Sequence, residues 1–379
     1  MKKYEKFNYL FLLWGFSFRH NPGAVNTQIY SLASKLSKNK KNVGIIYISY
    51  NSVVKKYGMA NKNSSLFPIS SFISRILYSG FISKIILYFY KKQNTGILDS
   101  KVKLYASGIH LPELNTDHVI TSYWWAVLLA GEIYPKDSIY FIVYHDYYND
   151  ILHSNEKNIP QLQKAYSSSN LILASRELTK KFDGDYPLIT EGIDIEKFTC
   201  KGTTNKEPNS MVLIPLRQNP LKGAEYAIPA LLMIKKEFPQ VEIVAYGDFT
   251  GKTPDFIDFR HVVSENELKE LYCKATYFIL PSIVEGIPEP LLEAMAGGCA
   301  CISTACGGPQ QVIDDGINGI LVPVKDSNSI FSAFKNIYGN REITSSIMTE
   351  GKKTASKYDL NRTYNDFIDA VNFYERGKN

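Results

Sequence analysis

Between Glu5 and Asp99 the chain has no acidic residue. The same window carries Lys6, Arg19, Lys35, Lys38, Lys40, Lys41, Lys55, Lys56, Lys62, Arg75, Lys84, Lys91 and Lys92, thirteen positive charges without one negative. A window of one sign implies an anionic neighbour, and the candidates are an anionic membrane surface, a lipid diphosphate or nucleic acid. Cysteine is scarce. The five residues Cys200, Cys273, Cys299, Cys301 and Cys306 lack zinc-type spacing. Their odd number suggests reduced, buried thiols in the cytosol. Strand alternation would turn Cys299 and Cys301 the same way into a core. No uncharged run reaches the roughly 20 residues that cross a bilayer. The opening MKKYEKFNYLFLLWGFSF mimics a secretory signal but lacks a small-residue cleavage site, since Arg19, His20 and Asn21 follow. Tyr9 to Trp14 reads instead as a first buried strand. No repeat at solenoid periods is visible.

What is present describes an ordinary soluble protein, with 45% hydrophobic and 21% charged residues. A chain of 379 residues predicts two domains. Short apolar runs alternate with helical patterns throughout. In the first half the strands are Tyr9 to Trp14, Val43 to Ile48, Val119 to Thr121, Tyr140 to Tyr144 and Leu171 to Ala174. Asn26 to Leu36 predicts a helix with Ile29, Leu32, Ala33 and Leu36 on one face. A second alternation begins near Ser210. Its strands are Val212 to Pro215, Val241 to Ala245, Tyr277 to Leu280, Ala300 to Ser303 and Ile320 to Val322. Ala224 to Phe238 and Glu265 to Cys273 read as helices, the latter with Ser264 and Glu267 at capping-box spacing. Residues 326–376 read as helical. This order argues for α/β architecture with parallel, doubly wound sheets. Residues 1–198 form the expected N-terminal domain, 199–209 the linker and 210–358 the C-terminal domain. A last helix in 359–379 is expected to return to the first domain.

Glu285 and Glu293 carry the most chemistry. They lie in a strand, loop, helix, strand unit, with Glu285 in the loop and Glu293 in the first turns of the helix. Gly286 and Pro288 belong to the loop. Pro290 suits the first helical position because it needs no amide donor there. The helix ends at Gly297-Gly298. Free amides at its start attract a phosphate, and two carboxylates beside an anion site suit a ligand that also bears hydroxyls, as a nucleotide sugar does. The same acids could serve only the helix dipole. Arg217 and Lys222 follow the Val212 strand, where ligands bind in open sheets, and offer a fork and a point charge for phosphate oxygens.

The string EGIPEPLLEAMAGGCACISTACGGPQQVIDDGINGILVP resembles the donor-site segment of retaining glycosyltransferases of family 4. The matching positions are Glu285, Glu293, Ala294-Met295-Ala296, Gly307-Gly308 and Asn318-Gly319. Arg217, Lys222 and Gly223 match the family's Arg and Lys-Gly, and Gly192, Asp194 and Phe198 its hinge-side segment. Glu191 stands where that family has Asn. The resemblance implies a GT-B fold, two Rossmann-like domains facing a central cleft. It implies transfer of a sugar from a nucleoside diphosphate donor to a hydroxyl of a glycan or lipid-linked acceptor, in surface polysaccharide or glycolipid synthesis. Arg217 and Lys222 would neutralise the diphosphate, Glu285 would touch the transferred sugar, and Glu293 would hold the ribose hydroxyls. His145 would face the transferred sugar.

Further substrate contacts are expected from Gly23, Asp146, Gly247, Gly286, Ile287, Pro288 and Leu291. No metal and no cofactor beyond the donor is expected. Trp124, Trp125, Tyr147 and Tyr148 could stack on sugars or pack in a core. Residues 71–92 could form a membrane-surface helix or a core helix. The expected location is cytoplasmic, with the basic window 6–98 as a candidate contact to the inner membrane face and no nucleic-acid partner. Alternatives are a GT-B epimerase or phosphorylase, or a non-catalytic sugar-nucleotide-binding subunit.

Overall fold

The structure is a computed structural model that describes residues 6–14, 24–48, 98–107, 114–144, 158–174, 178–200, 211–261 and 263–377. Gly23, His145, Asp146, Tyr147, Tyr148 and the segment 71–92 lie outside them. The chain divides into two units, 1–191 with 361–379, and 192–360.

The first unit holds strands β1 (Phe7–Trp14), β2 (Val43–Ile48), β3 (Lys103–Ser107), β4 (Thr116–Thr121), β5 (Ile139–Val143) and β6 (Asn170–Leu173). Their order in the sheet is β3-β2-β1-β4-β5-β6, and every pairing is parallel. Helix α1 (Ala24–Lys38) buries Ile29, Leu32, Ala33 and Leu36, the face read from the sequence. Between β4 and β5 runs α2 (Trp124–Ala130), and α3 (Ile159–Ser167) precedes β6. Both sheet faces are covered, which is why the strands are continuous apolar runs. β3 was not anticipated, because Lys103 and the other polar positions of an edge strand break the apolar run.

The second unit repeats this plan. Strands β7 (Val212–Pro215), β8 (Ile243–Tyr246), β9 (Ile257–Arg260), β10 (Tyr277–Leu280), β11 (Ala300–Thr304) and β12 (Ile320–Val322) form a second parallel sheet. Its order is β12-β11-β10-β7-β8-β9. Helices α4 (Ile195–Phe198), α5 (Ala224–Glu237), α6 (Glu265–Lys274), α7 (Glu289–Ala296), α8 (Pro309–Val312), α9 (Ser327–Ile337) and α10 (Arg341–Ala355) complete it. Ser264 caps α6 by accepting from the Glu267 amide at 3.2 Å. Gly298, at φ +76°, ends α7 in a conformation that costs a side-chain-bearing residue about 1–2 kcal/mol.

Residues 192–198, read from the sequence as the end of the first domain, lie in the second unit. Ile193 and Phe198 are buried in its core beside Tyr272 and Leu292. The last helix, α11 (Leu360–Arg376), belongs to the first unit from Asn361 onward. Phe367, Ala370 and Val371 pack with Tyr9, Phe11 and Tyr140. Its polar anchors are Thr363 to the Thr190 carbonyl (2.7 Å), the Thr190 amide to Asp366 (3.0 Å) and Tyr140 to Glu375 (3.1 Å).

Cys200 and Cys273 form a disulfide, against the expectation that all five cysteines stay thiols. Seventy-three positions separate them, but α4 and α6 pack together and bring their Cα atoms to 5.7 Å. Cys299 and Cys301 are buried thiols, and Cys306 is a partly buried one. Among the described residues no helix is long and apolar enough to cross a membrane.

Candidate active site

In each sheet the strand order reverses beside the first strand of the unit, between β1 and β4 and between β7 and β10. Ligands of open α/β sheets bind outside the carboxyl ends of the strands at such a point. The chemistry read from the sequence gathers at the second switch point. Arg217, Gln218 and Lys222 follow β7, Gly247 and Asp248 follow β8, and Ser282 and Glu285 follow β10.

The loop after β7 is built to approach the loop after β10. Asn219 caps its turn by accepting from the Leu221 amide at 3.0 Å. Gly223 then takes φ +71°, and a Cβ there would lie 1.9 Å from the Pro281 carbonyl oxygen. The Ile283 amide donates to the Leu221 carbonyl at 2.8 Å and locks the two loops together. Lys222 Nζ consequently reaches both carboxylate oxygens of Glu285, each at 2.8 Å. Ser282 donates a third hydrogen bond to Glu285 at 2.6 Å. The Glu285 backbone is held by the turn at Gly307-Gly308, with its amide bound to the Cys306 carbonyl at 3.2 Å and its own carbonyl to the Gly308 amide at 3.0 Å. At Gly308 a Cβ would meet the Gly286 carbonyl oxygen at 1.6 Å, so no larger residue fits there.

Gly247 ends β8 at φ +139°, where a Cβ would stand 2.2 Å from the Leu216 carbonyl oxygen. Asp248 accepts from the Gln218 amide at 2.9 Å, tying the loops after β7 and β8. Arg217 lies over the Tyr246 ring, 5.7 Å from its centroid. The Tyr246 hydroxyl is 2.9 Å from that of Tyr272, which donates to Glu293 Oε2 at 2.9 Å. A second constellation thus runs Arg217, Tyr246, Tyr272, Glu293. Burial pushes the Glu293 carboxyl up to about 7, and Glu265 adds to this. The Tyr272 hydrogen bond and the positive charges of Lys197 and Arg217 act the other way. Burial also holds Glu191 up at about 8, so it is protonated at neutral pH. A neutral carboxyl is closer in character to the Asn of the resembled family than a carboxylate is.

The sequence reading needs adjustment at several residues. Helix α7 starts at Glu289, with Pro288 as its cap and Pro290 one position further in than expected. Pro288 and Leu291 are buried. The Leu291 side chain belongs to the core, and its amide donates to the Pro288 carbonyl at 3.0 Å. Gly286 is exposed and Ile287 half-buried against the core. Trp124 and Trp125 are core residues of the first unit, 3% and 1% exposed, and offer no sugar platform. Sequence reasoning missed Ser282, Tyr246 and Tyr272. Ser282 sits three residues before Glu285 and Tyr246 directly before Gly247, a signal that a buried strand's apolar pattern conceals. Among the described residues no group of three or more His, Cys, Asp or Glu is placed to hold a metal ion.

Residues 211–340 match the family model described as glycosyl transferases group 1. That stretch of the chain is therefore similar to a group 1 glycosyltransferase domain. All the switch-point residues named above fall within it. Over 178 residues the chain is 25% identical to the putative glycosyltransferase EpsD of Bacillus subtilis, covering 45% of this chain and 47% of that protein. Over 198 residues it is 24% identical to the amylovoran biosynthesis glycosyltransferase AmsK of Erwinia amylovora, covering 48% and 49%. The chain thus spans about half the length of the curated relatives it matches. Its fold is similar to that of Anabaena HepE, crystallised with UDP-glucose, at TM-score 0.63 and 13% identity over 96% of this chain and 99% of that one. The fold class is therefore α/β of the GT-B type, and the stretch matched by the family model supplies its second parallel sheet.

Proposed function

We propose that this protein transfers a sugar from a nucleoside diphosphate donor to a hydroxyl of a glycan or lipid-linked acceptor, with retention at the anomeric carbon. The observation that carries the reading is the meeting of Lys222-Glu285 and Arg217-Tyr246-Tyr272-Glu293 at one topological switch point. Cations and carboxylates gathered at one switch point suit a ligand with both phosphates and hydroxyls. Bound UDP-glucose in HepE and the biosynthetic name of AmsK support a nucleotide-sugar donor and a surface polysaccharide product.

In this reading Glu293 receives the ribose hydroxyls. Arg217 and Lys222, with the start of α7, stabilise the departing diphosphate, the kind of charge stabilisation that is often the largest catalytic contribution. Lys222 is held by Glu285 at rest and would turn part of its charge to the phosphates when donor binds. Glu285 then accepts a hydrogen bond from a hydroxyl of the transferred sugar. The acceptor oxygen attacks the anomeric carbon on the face from which the diphosphate leaves, and its proton passes to a phosphate oxygen. The exposed Lys38, Lys40 and Lys41 at the end of α1 belong to the basic window and would set the protein on the anionic, cytoplasmic face of a membrane.

Incubation with a panel of radiolabelled UDP-, GDP-, ADP- and dTDP-sugars and an acceptor extract tests the reading. Label transferred to acceptor, or slow hydrolysis of one donor, is expected. An altered sugar on an intact nucleotide would make the protein an epimerase. Binding without turnover would make it a non-catalytic subunit.

A further inference from the structure

We propose that Tyr272 is a positioning residue for the donor nucleotide, with Tyr246 behind it: the two hydroxyls orient the Glu293 carboxylate and favour its charged form, which receives the nucleotide's sugar hydroxyls. This rests on the donor-site reading above. Three observations lead to it. The hydroxyls of Tyr246 and Tyr272 are 2.9 Å apart and Tyr272 donates to Glu293 Oε2 at 2.9 Å. Both rings are fully buried, with Phe198 and Phe278 edge-on to Tyr272, so neither hydroxyl can exchange its partner for bulk water without disrupting the core. Glu293 itself lies at the surface of that core, with Oε2 taken by Tyr272 and Oε1 making no hydrogen bond among the described residues.

Proton counting gives the chain a direction. Each tyrosine has one hydroxyl proton. While Tyr272 donates to the carboxylate, its oxygen can only accept, so Tyr246 must be the donor of the inner bond. Protonation of Glu293 leaves a neutral carboxyl that can still accept from Tyr272, but the hydrogen bond to the charged form is the stronger one. Such a chain strengthens along its length and favours the ionised acid. The other charged or titratable groups that act on Glu293 are Glu265 of α6, Lys197 of α4 and Arg217 of the loop after β7. Arg217 also lies over the Tyr246 ring. Desolvating a carboxylate merely to anchor two tyrosines is unfavourable, because two phenylalanines would fill the same space. A ligand hydroxyl on Oε1 gives the arrangement a purpose.

The test titrates the full-length protein with UDP, GDP, ADP and dTDP by calorimetry between pH 6 and 8.5. At least one should bind, more tightly as Glu293 ionises. If none binds, the donor reading falls and takes this proposal with it. With the binding nucleotide, Tyr272→Phe should weaken affinity roughly tenfold at pH 7, the effect expected for a hydrogen bond to a charged group. It should also move the midpoint of the pH dependence upward. Tyr246→Phe should move that midpoint the same way by less, and it carries the test should Tyr272→Phe fail to fold. In a Glu293→Gln background neither tyrosine substitution should alter affinity. Nucleotide binding with the wild-type pH midpoint in the foldable tyrosine variants would overturn the proposal and leave the donor reading standing. Equal weakening at every pH, or weakening that persists in the Glu293→Gln background, would assign the tyrosines a packing role alone.

Discussion

Glu293 is a residue whose ionisation opposes the fold it sits in. Its carboxyl is raised from an ordinary 4.5 to about 7 by burial. A raised acid costs nothing below its unfolded value, where both states are protonated. The cost grows as pH climbs from about 4.5 to 7 and is full above, because the unfolded chain then gives up the proton more readily. Glu293→Gln should therefore gain stability over the native chain with rising pH, by roughly 1–3 kcal/mol at pH 8 after allowance for partial exposure. Thermal unfolding of both at pH 4.5, 6 and 8 measures it, and a difference that does not change with pH would contradict the assignment. The same substitution should weaken nucleotide binding. Arg217→Ala has the complementary signature, a fall in turnover of roughly 100-fold with a smaller change in binding, as for the loss of one group that meets developing charge. Equal turnover in that variant would remove Arg217 from the site. The charged residues at 217, 222 and 285 stood out in the sequence because charge after a strand end is conspicuous, and Glu293 because it lies in the helix that follows. The tyrosines were not, because a buried Tyr reads as one more apolar residue until its hydroxyl is seen to have a partner.

Elements explain what residues cannot. The α4–α6 contact is invisible in the sequence, since Cys200 and Cys273 are 73 positions apart and carry no spacing signal. The packing of Phe198 against Tyr272 brings the two helices together and so decides the pairing. Denaturation without reductant should expose three titratable thiols, not five. Reduction should lower the unfolding temperature, with a cost of about 2–4 kcal/mol for a loop of this length. Five thiols in the unreduced protein would refute the bridge. Two of the four edge strands were similarly hidden: β3 begins and ends on polar residues, and β9 alternates polar and apolar residues with only Ile257 buried. Central strands were read correctly because both of their faces are covered. The boundary between units also moved at this scale, as the short α4 follows its buried Phe198 into the second core.

At the scale of the whole molecule, charge must be counted in space and not along the chain. Lys6 opens the acid-free window, yet it pairs with Asp117 at 2.6 Å because β1 and β4 are neighbours. Lys38, Lys40 and Lys41 are exposed at the end of α1. Liposomes containing about a third anionic lipid should retain the protein at low salt and release it in roughly 0.5 M salt, where the Debye length falls to about 4–5 Å. Equal retention on neutral liposomes would rule out an electrostatic contact.

Periodicity and punctuation in the sequence by themselves settled that both halves are alternating α/β, where most strands lie, and which charged residues stand at strand ends. These are local properties, written in side-chain spacing and in the glycines that only certain turns tolerate. Strand order was not local. It placed β7 beside β10, and with that Lys222 against Glu285 across 63 positions of chain. The same packing set Glu293 against the buried Tyr272, and loss of contact with water, which no spacing records, sets how readily that acid gives up its proton.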